Sequence, residues 1–204
     1  MFADLEEAHA LHLCELASLV EVPRRTRLVQ AGAESEGAFL LVSGKVKVFL
    51  TGDDGREVIL STLEAGEVFG EMGLIDDLPR SAHVETLEAS TIAVIGKPDF
   101  LDCLSKSGEL ALAVMRNLAA RLRAADEQIE RLALLSVEER VVQFLLDHSV
   151  LRDGRREVAP PSKQDIGRMV GASREMVSRV MRSLEESGRI SLHGKTVRFG
   201  GAEA

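Results

Sequence analysis

Between Gly108 and Leu134 the sequence carries its most constraining pattern. Ala111, Met115, Leu118, Leu122, Ala125, Ile129 and Leu132 recur at spacings of 4, 3, 4, 3, 4 and 3. This is an a/d seam of period 3.5 that runs unbroken for nearly four heptads. The positions between are mostly charged, among them Arg116, Arg121, Arg123, Asp126, Glu127, Glu130 and Arg131. Such a seam either pairs with a second copy of the chain or lies against its own domain. A helix that packs on its own domain usually needs a wider apolar face. The narrow stripe therefore favours a homodimer through these seven residues.

The long helix separates two textures. From Leu19 to Lys97, short β-rich runs alternate with turn signals: Ala38–Ser43, Lys45–Thr51, Glu57–Leu63, His83–Leu87 and Thr91–Ile95. Gly44, the Gly52-Asp53-Asp54-Gly55 turn and Gly66 lie between them. Regular short strands predict an antiparallel sandwich or barrel. Residues 1–18 read as a short helix, and Asp99–Leu104 as another behind Pro98. After the long helix, Ser136 and Glu139 form a capping box. A new helix therefore starts at Val137 and runs to about Ser149, with a hinge at Leu134–Ser136. A polar stretch, Leu151–Glu157, and Pro160-Pro161 follow. The chain divides into 1–107, 108–135 and 136–204, an α+β architecture.

Charge separates the same parts. Residues 1–134 hold 13 Lys and Arg against 23 Asp and Glu, whereas Pro160–Phe199 holds 8 against 4. A basic module on an acidic body can bind nucleic acid locally, although such a patch can also be only a solvated surface. Cys14 and Cys103 stand alone, with no CxxC spacing. Lone cysteines without a leader-like N-terminus suit a reducing cytoplasm. No apolar run approaches the roughly 18–20 residues of a membrane span. The five histidines have no metal or relay spacing, and no nucleophile elbow, P-loop or dinucleotide loop occurs. No metal, cofactor or enzyme chemistry is expected.

The basic module has internal order. Ser162 can cap a short helix from Lys163 to Val170, with Ile166, Met169 and Val170 inward. Gly171 suits a left-handed turn. Ser173 can cap a second helix from Arg174 to about Ser187. Val177, Val180, Met181 and Leu184 share one side of it, and Arg174, Glu175, Ser178, Arg179 and Arg182 share the other. Two short helices joined at a glycine form a helix-turn-helix candidate. Arg donors suit guanine O6 and N7, and Glu can accept from cytosine N4. Ile190–Ser191 and Thr196–Phe199, around His193-Gly194-Lys195, read as a β-hairpin wing. A solvated helix face in a small helical domain is the alternative.

From Ile166 through Val180 the residues IGRMVGASREMVSRV, continued by Leu184-Glu185, Ile190-Ser191 and His193-Gly194-Lys195-Thr196, resemble the recognition motif of the cyclic-AMP receptor protein (CRP/FNR) family. The resemblance implies a winged helix-turn-helix that reads double-stranded DNA at a palindromic TGTGA-like site. It implies that Arg174 and Arg179 donate to guanines and that Glu175 accepts from a cytosine. Ser162, Lys163, Ser173, Ser178, Arg182 and Lys195 complete the expected DNA face. RNA polymerase is the further partner implied.

A second constellation, Phe69-Gly70-Glu71-Met72-Gly73-Leu74 with Pro79-Arg80-Ser81-Ala82, offers glycines for close backbone approach, a guanidinium fork for a phosphate and an acid for a sugar hydroxyl. Alone it could be a surface Arg beside a turn. It resembles the phosphate cassette of the same family's cyclic-nucleotide-binding fold, and SGKVKV fits that fold's jelly-roll-like barrel. The resemblance spans about Leu19 to Phe199. It implies a cyclic nucleotide held by Gly70, Glu71, Met72, Arg80 and Ser81, with Ala125 and Asp126 at the base. In the family's cyclic-AMP receptor a Thr and a Ser stand at those last two positions. Ala125 cannot hydrogen-bond a base. Asp126 could accept from an adenine amine or from two guanine N–H groups, or could be only a solvated charge. Cyclic AMP is the first effector expected, with cyclic GMP, cyclic di-GMP, another effector or none as alternatives.

Overall fold

The computed structural model describes residues 16–152 and 155–200. The helix expected over residues 1–18 falls almost wholly on residues 1–15, outside the described residues. Two compact units divide the chain, 1–124 and 125–204.

Among its described residues the first unit is built on eight strands: β1 (Ser18–Val22), β2 (Arg27–Val29), β3 (Gly37–Ser43), β4 (Lys45–Thr51), β5 (Glu57–Glu64), β6 (Val68–Phe69), β7 (His83–Thr86) and β8 (Ser90–Gly96). They form two antiparallel four-stranded sheets of order β1-β8-β3-β6 and β2-β7-β4-β5. Val22, Val29, Leu41, Val46, Leu63, Phe69, Val84 and Ile92 meet in one core. Every strand contributes one of these residues, so the sheets pack face to face as a jelly-roll-like sandwich. Strand alternation drives this: side chains at i and i+2 share a face, and the apolar set turns inward.

The same unit also holds, among the described residues, α1 (Met72–Ile75), α2 (Lys97–Lys106) and the first part of α3 (Gly108–Leu134). The helix read over Asp99–Leu104 is longer at both ends. Leu74, Phe100, Cys103, Leu110 and Val114 pack with Ala38 and Ile95 in a second core.

Helix α3 has the bounds that its pattern predicts. Its apolar residues divide between two faces. Leu110 and Val114, which are not in the seam, are buried, and Leu118, which is, packs partly against the same core. Met115, Leu122 and Ile129 are 57%, 64% and 64% exposed, and Leu132 is exposed too. Leu118 packs on its own unit, whereas Met115, Leu122, Ile129 and Leu132 stay exposed. Ala111 is half-buried.

The second unit holds α4 (Val137–Asp147), β9 (Val150–Arg152), β10 (Arg155–Val158), α5 (Lys163–Val170), α6 (Arg174–Glu186), β11 (Ile190–His193) and β12 (Thr196–Phe199). Both halves of the Ser136/Glu139 capping box form. The polar stretch expected at Leu151–Glu157 is instead a hairpin, in which β10 pairs with β9 and with β12. The four strands run in the order β11-β12-β10-β9. Helices and sheet share one core around Val141, Leu145, Ile166, Val177, Leu184 and Val197.

Candidate functional site

Two sites stand on these scaffolds, one in each unit. The first lies where β6 runs into α1. Gly70 has φ +77, and a Cβ there would stand 2.6 Å from Arg80 Nη1 and 3.0 Å from the Phe39 ring. A Cβ on Gly73 would stand 2.1 Å from Ser35 Oγ and 2.5 Å from the Leu78 carbonyl oxygen. These glycines were expected to admit a ligand. Their missing side chains make room for the protein's own groups.

Arg80 is buried. Its Nη1 donates to the Gly70 carbonyl and its Nη2 donates to the Gly37 carbonyl at 2.7 Å. Burial lowers its pKa, opposed by Glu71 and Glu36. Ser81 and Met72 are exposed at the surface. Glu71 is only 2% exposed. Burial pushes its carboxyl above the ordinary range, and Arg121, its own backbone N–H and Arg80 pull it back.

Arg121 was not singled out for this site from sequence, where it read as one of the charged flanks of the seam. Its Nη1 donates to Glu71 Oε1 at 2.9 Å and its Nη2 donates to the Val68 carbonyl. Its Nε is buried without a hydrogen-bond partner. The available signal was the stripe Leu110, Val114, Arg121: at 3.6 residues per turn all three share one face, and the third is a cation. Ala125 and Asp126 are exposed on α3 within the second unit.

The second site is the helix-turn-helix. Ser162 accepts from the Asp165 N–H and Ser173 from the Met176 N–H, capping α5 and α6. Gly171 takes φ +66 at the turn. The Ala172 N–H donates to the Gly167 carbonyl at 2.9 Å. A Cβ on Gly167 would lie 2.5 Å from the Ala172 oxygen, so a glycine within α5 lets the turn close on the helix. The same turn meets α3, since a Cβ on Gly171 would lie 2.8 Å from Leu132 Cδ2.

The basic residues of this unit fall into two sets. Arg168 pairs with Asp165 at 3.2 Å, Arg189 with Glu138 at 2.9 Å and Arg198 with Glu157 at 2.6 Å. Arg174, Arg179 and Arg182 are exposed on the outer face of α6 and make no ion pair among the described residues. Glu175 is exposed beside them. Ser178 is half-buried and accepts from Lys163 Nζ at 3.3 Å, which brings the start of α5 to the middle of this face. Lys195 is exposed in the β11–β12 turn. A row of uncommitted guanidiniums on a helix whose other side is anchored in a core suits insertion into a major groove.

A family profile described as "Cyclic nucleotide-binding domain" matches residues 19–107, and one described as "Crp-like helix-turn-helix domain" matches residues 139–199. The cAMP-activated global transcriptional regulator CRP of Pasteurella multocida is 33% identical over 180 residues, covering 86% of each chain. The chain belongs to the CRP/FNR family of transcription regulators. The cAMP-activated global transcriptional regulator Vfr of Pseudomonas aeruginosa is 34% identical over 181 residues, covering 85% of each chain. Among solved structures, the c-di-GMP responsive global regulator CLP of Xanthomonas campestris superposes with a TM-score of 0.86 at 27% identity, covering 97% of this chain and 100% of that one. As a family member the chain is a DNA-binding regulator with a cyclic-nucleotide-binding domain, not an enzyme. Among the described residues no helix is long and apolar enough to cross a membrane.

Proposed function

We propose that this chain is a homodimeric transcription regulator whose DNA binding is gated by a cyclic nucleotide, cyclic AMP first among them. The observation that carries the effector reading is the buried Glu71 with Arg121 donating to it and Arg80 beside it, next to exposed Ser81. The orphaned Arg121 Nε is a donor in need of an acceptor. Arg80 and Ser81 would take the cyclic phosphate, Glu71 and Arg121 the ribose side, and Gly70 and Met72 the adjoining wall. Ala125 and Asp126 would meet the base.

The exposed stripe of Met115, Leu122, Ile129 and Leu132 supports pairing of two α3 helices. Pairing would set two α6 helices to read a palindromic TGTGA-like site through Arg174, Glu175, Arg179 and Arg182, with Ser162, Lys163, Ser173, Ser178 and Lys195 contributing at the edges. The working divisions are then sensor 1–107, dimer helix and hinge 108–135, and DNA head 136–204. RNA polymerase is the partner such a regulator would address.

Cyclic di-GMP is a second reading, favoured by the likeness to CLP and by the carboxylate at Asp126, which matches two guanine donors. Fluorescence anisotropy on a TGTGA-N6-TCACA duplex, with cyclic AMP, cyclic GMP, cyclic di-GMP or no addition, separates the readings. A shift of about tenfold, or roughly 1.4 kcal/mol, with one nucleotide names the effector. Tight DNA binding indifferent to all three removes the gating proposal and leaves the DNA head.

A further inference from the structure

A histidine outside the cassette holds the loop against which the cassette's arginine rests. The Arg80 carbonyl accepts from the Gly32 N–H at 2.8 Å, and the Arg80 N–H donates to the Ala33 carbonyl at 2.9 Å. The Gln30–Ala33 turn is thus the backbone partner of the residue expected to take the phosphate. That turn is tied in place by one side chain, because the Ala31 N–H donates to His83 Nδ1 at 3.0 Å. Arg27 Nη1 lies 3.1 Å from the same nitrogen. Two donors on Nδ1 require the neutral ring with its proton on Nε2.

The surroundings oppose a second proton. Arg27 of β2 stands beside the ring, and Phe49 of β4, fully buried, packs against it with centroids 5.2 Å apart. Lys47 of β4, Glu85 of β7 and Glu57 of β5 are the remaining charged groups. The carboxylates are already engaged: Glu85 pairs with Arg27 at 3.4 Å and with Lys47 at 3.2 Å, and Glu57 pairs with Lys47 at 3.0 Å. Burial and Arg27 depress the His83 pKa below 6.5, against a weaker pull from Glu57.

We propose that His83 is a positioning residue for the phosphate cassette, whose neutral ring holds the 30–33 turn against the Arg80 backbone, so that protonation of the ring frees the turn and weakens effector capture. The inference rests on the cyclic-nucleotide reading of the cassette. A protonated Nδ1 cannot accept from Ala31, and it would place a cation against Arg27. The neutral ring's contribution is whole above pH 6.5 and fades as pH falls through the depressed pKa.

The test compares the wild type with His83→Asn, whose Oδ1 takes the place of Nδ1 and does not titrate. Two measurements are made on the full chain between pH 7.5 and 5. The first is hydrogen exchange of the Ala31, Gly32 and Arg80 amides, corrected for intrinsic rates. The second is the Kd, by calorimetry, for each of cyclic AMP, cyclic GMP and cyclic di-GMP. In the wild type, protection at all three amides should fall with pH and the Kd should rise about fivefold more than in His83→Asn, the scale of one lost hydrogen bond. Glu71 titrates in both proteins and cancels in the comparison. Equal amide profiles in the two proteins overturn the inference, and so do unequal profiles with coincident Kd curves. If the wild type binds no cyclic nucleotide even at pH 7.5, the cassette reading fails, and the Arg80 amide alone then decides whether His83 holds the turn.

Discussion

Removing Arg121 strands a buried carboxylate, and the cost can be worked from the geometry. Glu71 is 2% exposed and Arg121 29% exposed, with 2.9 Å between Oε1 and Nη1. Breaking a buried pair by deleting one partner costs about 3–5 kcal/mol. Water reaches one side of Arg121, which reduces the figure for Arg121→Gln to about 2–3 kcal/mol. The pH dependence has a definite sign. The folded-state pKa of Glu71 is already above 4.5, and losing Arg121 raises it further. The penalty is therefore full at pH 8 and shrinks as pH falls toward the raised pKa, where Glu71 takes a proton. The chain has no Trp and no Tyr, so native-state hydrogen exchange of first-unit core amides such as Leu41 and Val46 is the suitable assay. Glu71→Gln combined with Arg121→Gln removes the stranded charge and should recover more than half of the loss. A cost under about 0.5 kcal/mol at pH 8, or a double variant no better than the single, would refute the reasoning.

Gly70→Ala meets both a left-handed φ and the Arg80 guanidinium; effector affinity should fall at least about tenfold by calorimetry, and an unchanged affinity would separate Arg80 from the ligand. Leu122→Glu puts a charge in the exposed stripe of α3 and should shift the protein to monomer in sedimentation, whereas a persistent dimer would put the interface elsewhere. Arg174→Ala should cost about 1–3 kcal/mol of DNA binding and relax one base position; equal loss on every sequence marks a phosphate contact instead. Arg80→Ala should abolish the effector response and leave the sedimentation profile unchanged, and a normal response would remove Arg80 from the ligand site.

Elements defined by local rules could be read from the sequence. Helix α3 has the bounds that its seam predicts, and α4, α5 and α6 start where their caps predict, because Ser136, Ser162 and Ser173 accept the hydrogen bonds that begin those helices. Strands with alternating burial, such as β7, were equally visible. The β9–β10 hairpin was not: Val150, Leu151 and Arg152 are all exposed, so no period-two signal exists, and pairing with β12 holds the ladder instead. Arg121 was missed for a related reason. Its partner Glu71 lies fifty residues earlier, and the one local sign, its place in line with Leu110 and Val114, falls off the seam by which the helix was read. The glycines of the cassette were noticed for a ligand; that they make room for Arg80, Phe39, Ser35 and Leu78 is revealed only by tertiary contact.

Leu132 is both the last residue of the exposed stripe on α3 and the neighbour of Gly171 in the turn between α5 and α6. A turn with a side chain could absorb a small displacement by changing rotamer. Gly171 has none, so movement of Leu132 acts directly on the main chain of the turn. That main chain also carries Ala172, whose N–H is fixed to Gly167. Enlarging Leu132 by a single methylene should therefore press first on that main chain. One leucine thus joins the stripe to the main chain that leads into α6.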